Sequence, residues 1–204
     1  MRPENFDIIL WDFDGVIIES NSIRVNGFKE VLQSYPKNQV KELLNFHSRN
    51  GGLSRYVKFK YFFNQIRNEK ISEKKISSLA MEFSKIMRNK LTQESLLIPE
   101  IMRFINDQHK AGKEMHIVSG SDHAELNFLC AKLKIEKYFK TISGSPTPKT
   151  ELVSEIIENS EYSKSQFCLI GDSFNDFEAA SNNGVIFFGY NNEDLVHLGN
   201  YLKL

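Results

Sequence analysis

Short apolar runs separated by longer amphipathic segments make up most of the chain. Four runs rich in branched and aromatic residues have the length of buried strands, namely residues 6–13, 114–119, 166–170 and 185–189. A weaker strand is predicted near 139–142. Apolar residues at helical spacing lie between the later runs, and Pro99 marks a helix start. Strands alternating with helices predict an α/β fold with a parallel sheet covered on both faces.

Residues 20–93 interrupt this alternation, because they show helical periodicity and no convincing strand. Apolar stripes at helical spacing lie around Phe28, Leu43, Phe59 and Phe83. A run of helices inserted after the first strand predicts a separate, all-helical subdomain. The predicted division is a core made of residues 1–19 and 94–204, with the helical insertion at 20–93.

Composition indicates a globular chain and argues against two classes of function. Hydrophobic residues make up 41% and charged residues 25% of the 204 residues, which is ordinary for globular proteins. Lys plus Arg and Asp plus Glu both total 26, and a chain without net positive charge is a poor candidate for nucleic-acid binding. No apolar stretch reaches the roughly 18 residues of a membrane span, and no signal-peptide pattern is present. Cys130 and Cys168 match no metal spacing and are predicted to be buried thiols, so a cytoplasmic location is expected.

Two aspartates that follow the first predicted strand are separated by a single residue. In open α/β sheets, ligands bind at the carboxyl ends of the strands, and residues i and i+2 of an extended chain point the same way. Asp12 and Asp14 are therefore expected to face one site, with the chain turning at Gly15. Carboxylates this close repel each other unless a cation lies between them or one is protonated. Taken alone the pattern stays ambiguous, because Asp-x-Asp is also common in turns.

A second acidic pair, Asp172 and Asp176, follows the third predicted strand in the segment GDSFND. Asp172 falls where the strand ends and Asp176 lies one helical turn further on, so both can face one point. Carboxylates in this arrangement suit a hard cation such as Mg²⁺. The alternative is a helix N-cap, in which Asp172 or Ser173 accepts hydrogen bonds from free backbone amides.

Two further features are expected near the same edge of the sheet. Ser119 and Gly120 end the second strand, where a hydroxyl and free N–H groups can bind an anion, although an ordinary helix cap also accounts for them. Lys149, in the loop 145–149, can place a positive charge beside a phosphate, although most single loop lysines are solvated. The four features together, in this order, favour a site for a phosphate and a metal ion.

This conjunction of motifs resembles the haloacid dehalogenase-like hydrolase superfamily over about residues 6–190. The residues that fall on its four motifs are Asp12, Asp14, Ser119, Lys149, Asp172 and Asp176. The resemblance implies a Rossmann-like sheet as the core. The position of the helical insertion, between the first and second motifs, is that of the cap in the phosphoglycolate phosphatase and β-phosphoglucomutase-like branch.

The resemblance also implies a mechanism and a cofactor. Asp12 would be the nucleophile that attacks phosphorus, and Asp14 the general acid and base. Asp14 must then be protonated in the first step, which the neighbouring carboxylates and the charge of the substrate are expected to favour. Mg²⁺ would be held by Asp12, the Asp14 carbonyl, Asp172 and, in or just outside its coordination sphere, Asp176. Ser119, the Gly120 amide and Lys149 would hold the phosphate oxygens.

The cap is expected to select the substrate, a small phosphorylated metabolite. Residues 51–55, GGLSR, resemble the cap substrate loop of β-phosphoglucomutase-like proteins, so Arg55 is expected to contact a carboxylate, a second phosphate or sugar hydroxyls. The alternative is that Ser54 caps a helix and Arg55 faces solvent. Further specificity candidates are Ser54 in the same loop, Arg24 in the hinge and Arg49, with His47 and Lys58 nearby. Residues 55–90 contain ten Lys or Arg against three Glu, which suits an anionic substrate.

Three functions are compatible with these residues. A phosphatase is favoured, and a dehalogenase is disfavoured because the chain keeps Asp14, Asp172 and Asp176. A β-phosphoglucomutase-type phosphotransferase would use the same two catalytic aspartates, but the mutases that the chain resembles carry a hinge histidine near the place of Arg24. A non-catalytic binding module is disfavoured by the intact motifs. The sequence leaves the metabolite and the oligomeric state open.

Overall fold

The core of the structure, a computed structural model describing residues 1–204, is a single sheet of six parallel strands. The strands are β1 (Ile8–Trp11), β2 (Glu114–Asp122), β3 (Thr141–Ser145), β4 (Phe167–Gly171), β5 (Ile186–Gly189) and β6 (Asn200–Tyr201). Their order across the sheet is β3-β2-β1-β4-β5-β6, which places the first strand at the centre. The predicted α/β fold with a Rossmann-like parallel sheet is confirmed.

Eight α-helices accompany the sheet. They are α1 (Asn21–Val31), α2 (Lys37–Arg49), α3 (Arg55–Tyr61), α4 (Glu73–Lys90), α5 (Pro99–Lys110), α6 (His123–Lys132), α7 (Lys149–Glu158) and α8 (Phe174–Asn183). Helix α5 begins at Pro99, as predicted, and α3 continues into a π-helical turn at Phe62–Ile66. No helix is both long and apolar enough to cross a membrane.

The sheet differs from the sequence-based prediction in several details. Strand β1 occupies only Ile8–Trp11 of the predicted 6–13, and β4 and β5 each begin one residue later than predicted. Strand β3 lies at Thr141–Ser145 rather than 139–142, and β2 continues three residues further than predicted, to Asp122. Strand β6 was not predicted, because two residues at a sheet edge carry no hydrophobic period. Despite these differences, β1, β2 and β4 end at the same edge of the sheet, so the motif residues that follow them still lie close together.

Alternate side chains of β1 enter separate apolar clusters on the two faces of the sheet. Ile9 and Trp11 join the larger cluster, whereas Ile8 and Leu10 join the smaller one, and all four are fully buried. This period of two is the geometry of a strand with both faces covered. Trp11 packs against Phe104 with 5.9 Å between ring centroids, so it is a packing residue of the core.

Helices α1 to α4 form the insertion and pack around an aromatic centre. The ring centroid of Phe28 lies 4.5 Å from that of Phe83 and 5.5 Å from that of Phe59. These rings belong to the same apolar cluster as Trp11, so the helical insertion shares a core with one face of the sheet. No strand interrupts residues 20–93, whereas the division of the chain into two domains at these boundaries stays a prediction.

Two chain segments that run side by side connect the insertion to the sheet. The Glu19 amide donates a hydrogen bond to the Leu96 carbonyl over 2.8 Å, and the Ile98 amide donates to the Ile17 carbonyl over 3.0 Å. Because the outgoing segment begins directly after Asp12 and Asp14, the helices are held above the carboxyl end of β1.

We expect Phe83→Ala to lower the free energy of unfolding by about 3–5 kcal/mol, because it leaves a cavity between Phe28 and Phe59. Chemical denaturation followed by circular dichroism measures this change. Met81→Ala on the same helix is the matched control, since Met81 is 67% exposed and its truncation should change little. Equal effects of the two substitutions would contradict the packing described here.

Candidate active site

The register between β1 and β4 brings the two acidic motifs together. Trp11 pairs with Ile170, and the Asp12 amide continues the ladder by donating to the Ile170 carbonyl over 2.9 Å. Asp12 and Asp172 therefore leave neighbouring strands at the same edge. Gly15 turns the chain with φ +76°, and a Cβ at this position would collide with the Asp172 carboxylate. Only glycine permits both the turn and the close approach.

Three carboxylates converge at this edge. One carboxylate oxygen from each of Asp12, Asp172 and Asp176 lies within 4.8 Å of the other two. The Lys149 Nζ lies 2.8 Å from Asp12 Oδ1 and also contacts Asp176. The structure thus brings together four residues from three separate segments of the sequence, which the motifs predicted to be neighbours.

The acidic cluster has the charge and the ligand type that a hard divalent cation requires. Burial raises the pKa of Asp12 to about 7, and the neighbouring Asp176 adds to this effect against the opposing charge of Lys149. Burial and the charges of Asp12 and Asp176 likewise raise the pKa of Asp172 well above its usual range. Three oxygen ligands whose negative charges oppose one another are a donor set that Mg²⁺ fits.

Asp176 also takes part in the cap of helix α8. It accepts hydrogen bonds from the Ser173 amide over 3.0 Å and from the Ser173 hydroxyl over 2.6 Å. The N-cap alternative is therefore realised by Ser173, whereas Asp172 stays directed at the acidic cluster. The cap fixes the carboxylate of Asp176, because both of its oxygens have partners.

Asp14 lies apart from the acidic cluster, in a setting rich in donors. It accepts hydrogen bonds of 2.5 Å from Ser20 Oγ, Arg24 Nε and Ser121 Oγ. Burial acts to raise the pKa of Asp14, but the charge of Arg24 and these hydrogen bonds outweigh it and hold the pKa below its usual range. Without substrate, the neighbouring carboxylates therefore do not favour a protonated Asp14, because Arg24 stabilises the ionised form. The expected contribution of the substrate charge stays a prediction.

The end of β2 supplies the predicted anion-binding loop. Ser119, Gly120 and Ser121 line the same cavity as Asp12 and Asp14, and Ser119 Oγ accepts from the Ser121 amide over 3.1 Å. A Cβ on Gly120 would collide with the backbone carbonyl of Gly52 in the cap. The cap loop thus lies directly against the core loop, and only a glycine permits this contact.

Arg24 and Arg55 are both buried and meet the same core carboxylate. Glu125 at the start of α6 accepts from Arg24 Nη1 over 3.1 Å and from both terminal nitrogens of Arg55 over 2.5 and 2.9 Å. Arg55 also donates to Ser84 over 2.6 Å and stacks on the Phe83 ring at 4.6 Å. The alternative in which Arg55 faces solvent was wrong, because Glu125 compensates its charge inside the protein.

The remaining two specificity candidates lie away from this centre. Ser54 is the N-cap of α3, and its hydroxyl accepts from the Val57 amide over 3.3 Å, which is the capping role that the sequence left open. Arg49 is exposed and lines an adjoining groove that also contains Asp172 and Ser173.

Two residues of the site were not identified from the sequence. Ser121 follows the Ser119-Gly120 pair, and the extension of β2 to Asp122 turns its side chain toward Asp14. Glu125 precedes Leu126 and lies four residues before Leu129, so its place on the buried face of α6 was a signal available in the sequence. Its two arginine partners come from a different part of the chain, which local periodicity does not reveal.

Comparison with known protein families shows which family has this fold and these motifs. Residues 9–190 match the family described as haloacid dehalogenase-like hydrolase. The chain belongs to the haloacid dehalogenase-like hydrolase family. This match spans all four motifs and confirms the resemblance predicted from them. The comparison with curated proteins gives no match.

Solved structures of this hydrolase family share the fold over almost the whole chain. β-Phosphoglucomutase from Clostridium difficile is 15% identical with a TM-score of 0.79, covering 97% of this chain and 91% of its own. CbbY from Rhodobacter sphaeroides, in complex with xylulose-(1,5)-bisphosphate, is 15% identical with a TM-score of 0.74, covering 93% and 89%. A haloacid dehalogenase-like hydrolase from Bacteroides fragilis is 19% identical with a TM-score of 0.73, covering 97% and 95%. These likenesses include the helical insertion and agree with the predicted branch of the family.

We expect Mg²⁺ at a hundredfold excess over its Kd to raise the melting temperature by roughly 5–10 °C. The pKa of Asp12 rises from 3.8 to about 7 when the chain folds. Without metal, the folded protein therefore loses stability as the pH increases from about 4 to about 7. Bound metal relieves this cost, and protons compete with it at low pH. At one fixed Mg²⁺ concentration, the rise in melting temperature should therefore be larger at pH 8 than at pH 5.5, because Mg²⁺ binds more tightly at pH 8. Thermal unfolding at the two pH values measures the difference.

Asp172→Asn tests the acidic cluster directly. The variant should melt no lower than the wild type without metal, because it removes a buried charge, and it should lose most of the response to Mg²⁺. Asp107→Asn, an exposed position on α5, is the matched control and should keep the response. A full response in Asp172→Asn would argue against metal binding by this cluster.

Proposed function

We propose that this chain is a Mg²⁺-dependent phosphatase that hydrolyses a small phosphorylated metabolite, such as a sugar phosphate or a phosphoglycolate-like compound, through an aspartyl-phosphate on Asp12. The observation that carries the proposal is the buried Asp12 carboxylate, which lies among Asp172, Asp176 and Lys149 and faces the loop of Ser119 and Gly120. This is the set of partners that phosphoryl transfer to a carboxylate requires.

In the first step, an Asp12 carboxylate oxygen forms a bond to phosphorus while the bond from phosphorus to the leaving oxygen breaks. Asp14 gives its proton to that leaving oxygen. In the second step, water attacks the aspartyl-phosphate, its proton passes to Asp14, and the Asp12 oxygen is released. Ser119, the Gly120 amide and Lys149 orient the phosphate and neutralise its charge.

Mg²⁺ held by Asp12, Asp172, Asp176 and the Asp14 carbonyl would supply compensating positive charge beside the phosphate. Lys149 already neutralises part of the acidic cluster, since it contacts both Asp12 and Asp176. The lysine therefore holds the nucleophile in place before the substrate arrives.

The first step requires a proton on Asp14, whereas its three donors stabilise the ionised form. Entry of the dianionic phosphate reverses this balance, because a second negative charge near Asp14 raises its pKa and competes for Arg24. Arg24 thereby links substrate binding to the protonation of the general acid.

The alternative is a phosphotransferase of the β-phosphoglucomutase type, which would pass the phosphoryl group from Asp12 to a sugar hydroxyl. Arg24 argues against it, because a permanently charged guanidinium bonded to Asp14 is a poor group for preparing a neutral acceptor. Supplying a hexose 1-phosphate separates the two: free phosphate indicates a phosphatase, and the hexose 6-phosphate indicates a mutase.

We also propose a cytoplasmic location. Cys130 and Cys168 are buried and form no disulfide, which supports a reducing compartment.

We expect Asp12→Asn to lower the Mg²⁺-dependent hydrolysis of p-nitrophenyl phosphate by a factor on the order of 1000 or more, because the amide is not a nucleophile. Phosphate release with Mg²⁺ and with EDTA measures the effect, and EDTA should abolish the wild-type rate. Asp107→Asn controls for the loss of one carboxylate and should keep full activity. Retained activity in Asp12→Asn would refute the proposed nucleophile.

A further inference from the structure

Three buried cations of the cap face two carboxylates. Arg24 pairs with Asp14 and Glu125, and Arg55 pairs with Glu125. Lys58 is only 3% exposed, yet it forms no ion pair and donates only to the Gly51 carbonyl, over 2.9 Å. Lys58 is thus the one of these three side chains that has no carboxylate in contact.

Two other polar atoms in the same cavity also have no partner. The guanidinium of Arg24 uses Nε for Asp14 and Nη1 for Glu125, but its buried Nη2 makes no hydrogen bond. The buried Nδ1 of His47 makes none either. Arg24, His47 and Lys58 all line the cavity that contains Asp12 and Ser119. Buried donors without acceptors are costly and rare, so their convergence at one place points to a ligand.

The electrostatics identify the kind of ligand. Burial lowers the pKa of Lys58 to about 7, and the charge of Arg24 adds to this effect. Burial, followed by the charges of Lys58 and Arg24, lowers the pKa of His47 to about 3, so its imidazole is neutral and can present an N–H at Nδ1. The cavity wall therefore offers hydrogen-bond donors and a lysine whose charged form has no carboxylate in contact. An anion both accepts from these donors and stabilises the charged lysine, whereas a hydroxyl can only accept.

Arg55, the residue first expected to bind substrate, does not belong to this group. Its terminal nitrogens are taken by Glu125 and Ser84, and its face is covered by Phe83. Arg55 instead satisfies most of the Glu125 carboxylate, which leaves one face of Arg24 directed at the cavity.

We propose that Arg24, His47 and Lys58 form a subsite for a second anionic group, a carboxylate or a phosphate, on the leaving-group part of the substrate. The inference rests on the proposed function in one respect, that the scissile phosphate lies at Asp12. It narrows the substrates to phosphorylated metabolites that carry another oxyanion a few bonds away. A neutral metabolite would leave Lys58 uncompensated, so the subsite discriminates against it.

A series of three compounds on one three-carbon chain tests the subsite. The chain carries a phosphate at one end and at the other a hydroxyl (3-hydroxypropyl phosphate), a carboxylate (3-phosphooxypropanoate) or a second phosphate (propane-1,3-diol bisphosphate). Binding to the full-length Asp12→Asn protein with Mg²⁺, measured by isothermal titration calorimetry, reports affinity without turnover. We expect at least about tenfold tighter binding for an anionic end, and the tighter of the two identifies the anion.

Lys58→Met, added to Asp12→Asn, should remove most of the preference for an anionic end. Lys60→Met is the matched control, because Lys60 lies two residues further along α3, is 48% exposed and pairs with Glu73, and it should keep the preference. Lys58→Gln, which keeps a donor for the Gly51 carbonyl, serves if thermal unfolding shows that Lys58→Met is misfolded. Equal binding of all three compounds, or a preference that survives the loss of Lys58, would overturn the proposal.

Wild-type kinetics on the same compounds separate this proposal from the proposed function. Hydrolysis of all three compounds with similar kcat/KM would refute the proposed subsite and support the proposed phosphatase activity. If the anionic compounds bind more tightly but no phosphate is released from any compound or from p-nitrophenyl phosphate, the subsite is supported and the proposed phosphatase activity is refuted.

Discussion

The mutual repulsion of carboxylates at the end of β1 is the constraint on which the rest of the site depends. Asp12, Asp172 and Asp176 share a buried space in which Lys149 contacts two of the three carboxylates. Burying charges with incomplete compensation is costly, and folded proteins retain such sites where a ligand completes them. In the proposed function, a divalent cation and Lys149 together would neutralise most of this charge and leave Asp12 available as a nucleophile.

On the cap side of the cavity the buried side chains are mainly positively charged, the opposite of the carboxylates at the end of β1. Glu125 enters from the core and compensates Arg55 and part of Arg24, whereas Lys58 has no carboxylate partner. The cavity between cap and core is therefore bounded by excess negative charge below and excess positive charge above. A substrate with a metal-bound phosphate at one end and an anion at the other would match both boundaries.

Arg24 connects the two halves of this arrangement. It lies on the first cap helix, ten residues after Asp14, and bonds both to that aspartate and to Glu125. The helical insertion thus places the charge of Arg24 on Asp14, and the contact between Gly120 and Gly52 holds the end of β2 against the insertion. Position of the cap and protonation of Asp14 are in this way coupled through a single side chain.

Most of the core was predictable because its signals are local. Apolar runs indicated the strands β1, β2, β4 and β5, and motif residues at the ends of β1, β2 and β4 indicated a shared edge. The two-residue strand β6 and the exact extent of β3 were not predictable, since short edge strands carry little hydrophobic period. The side chains of Ser121 and Glu125 were missed for a related reason, because their partners lie about 70 to 107 residues away in the chain.

The sequence by itself determined the fold class, the family and the convergence of Asp12, Asp172, Asp176 and Lys149, because strand order in a parallel sheet brings strand ends together whatever the loops do. Only the tertiary structure decided the charge state of Asp14, the sequestration of Arg55 and the isolation of Lys58. Those properties depend on which side chains from distant helices share a buried space, and the free energy of a buried charge is set by neighbours that no local pattern encodes.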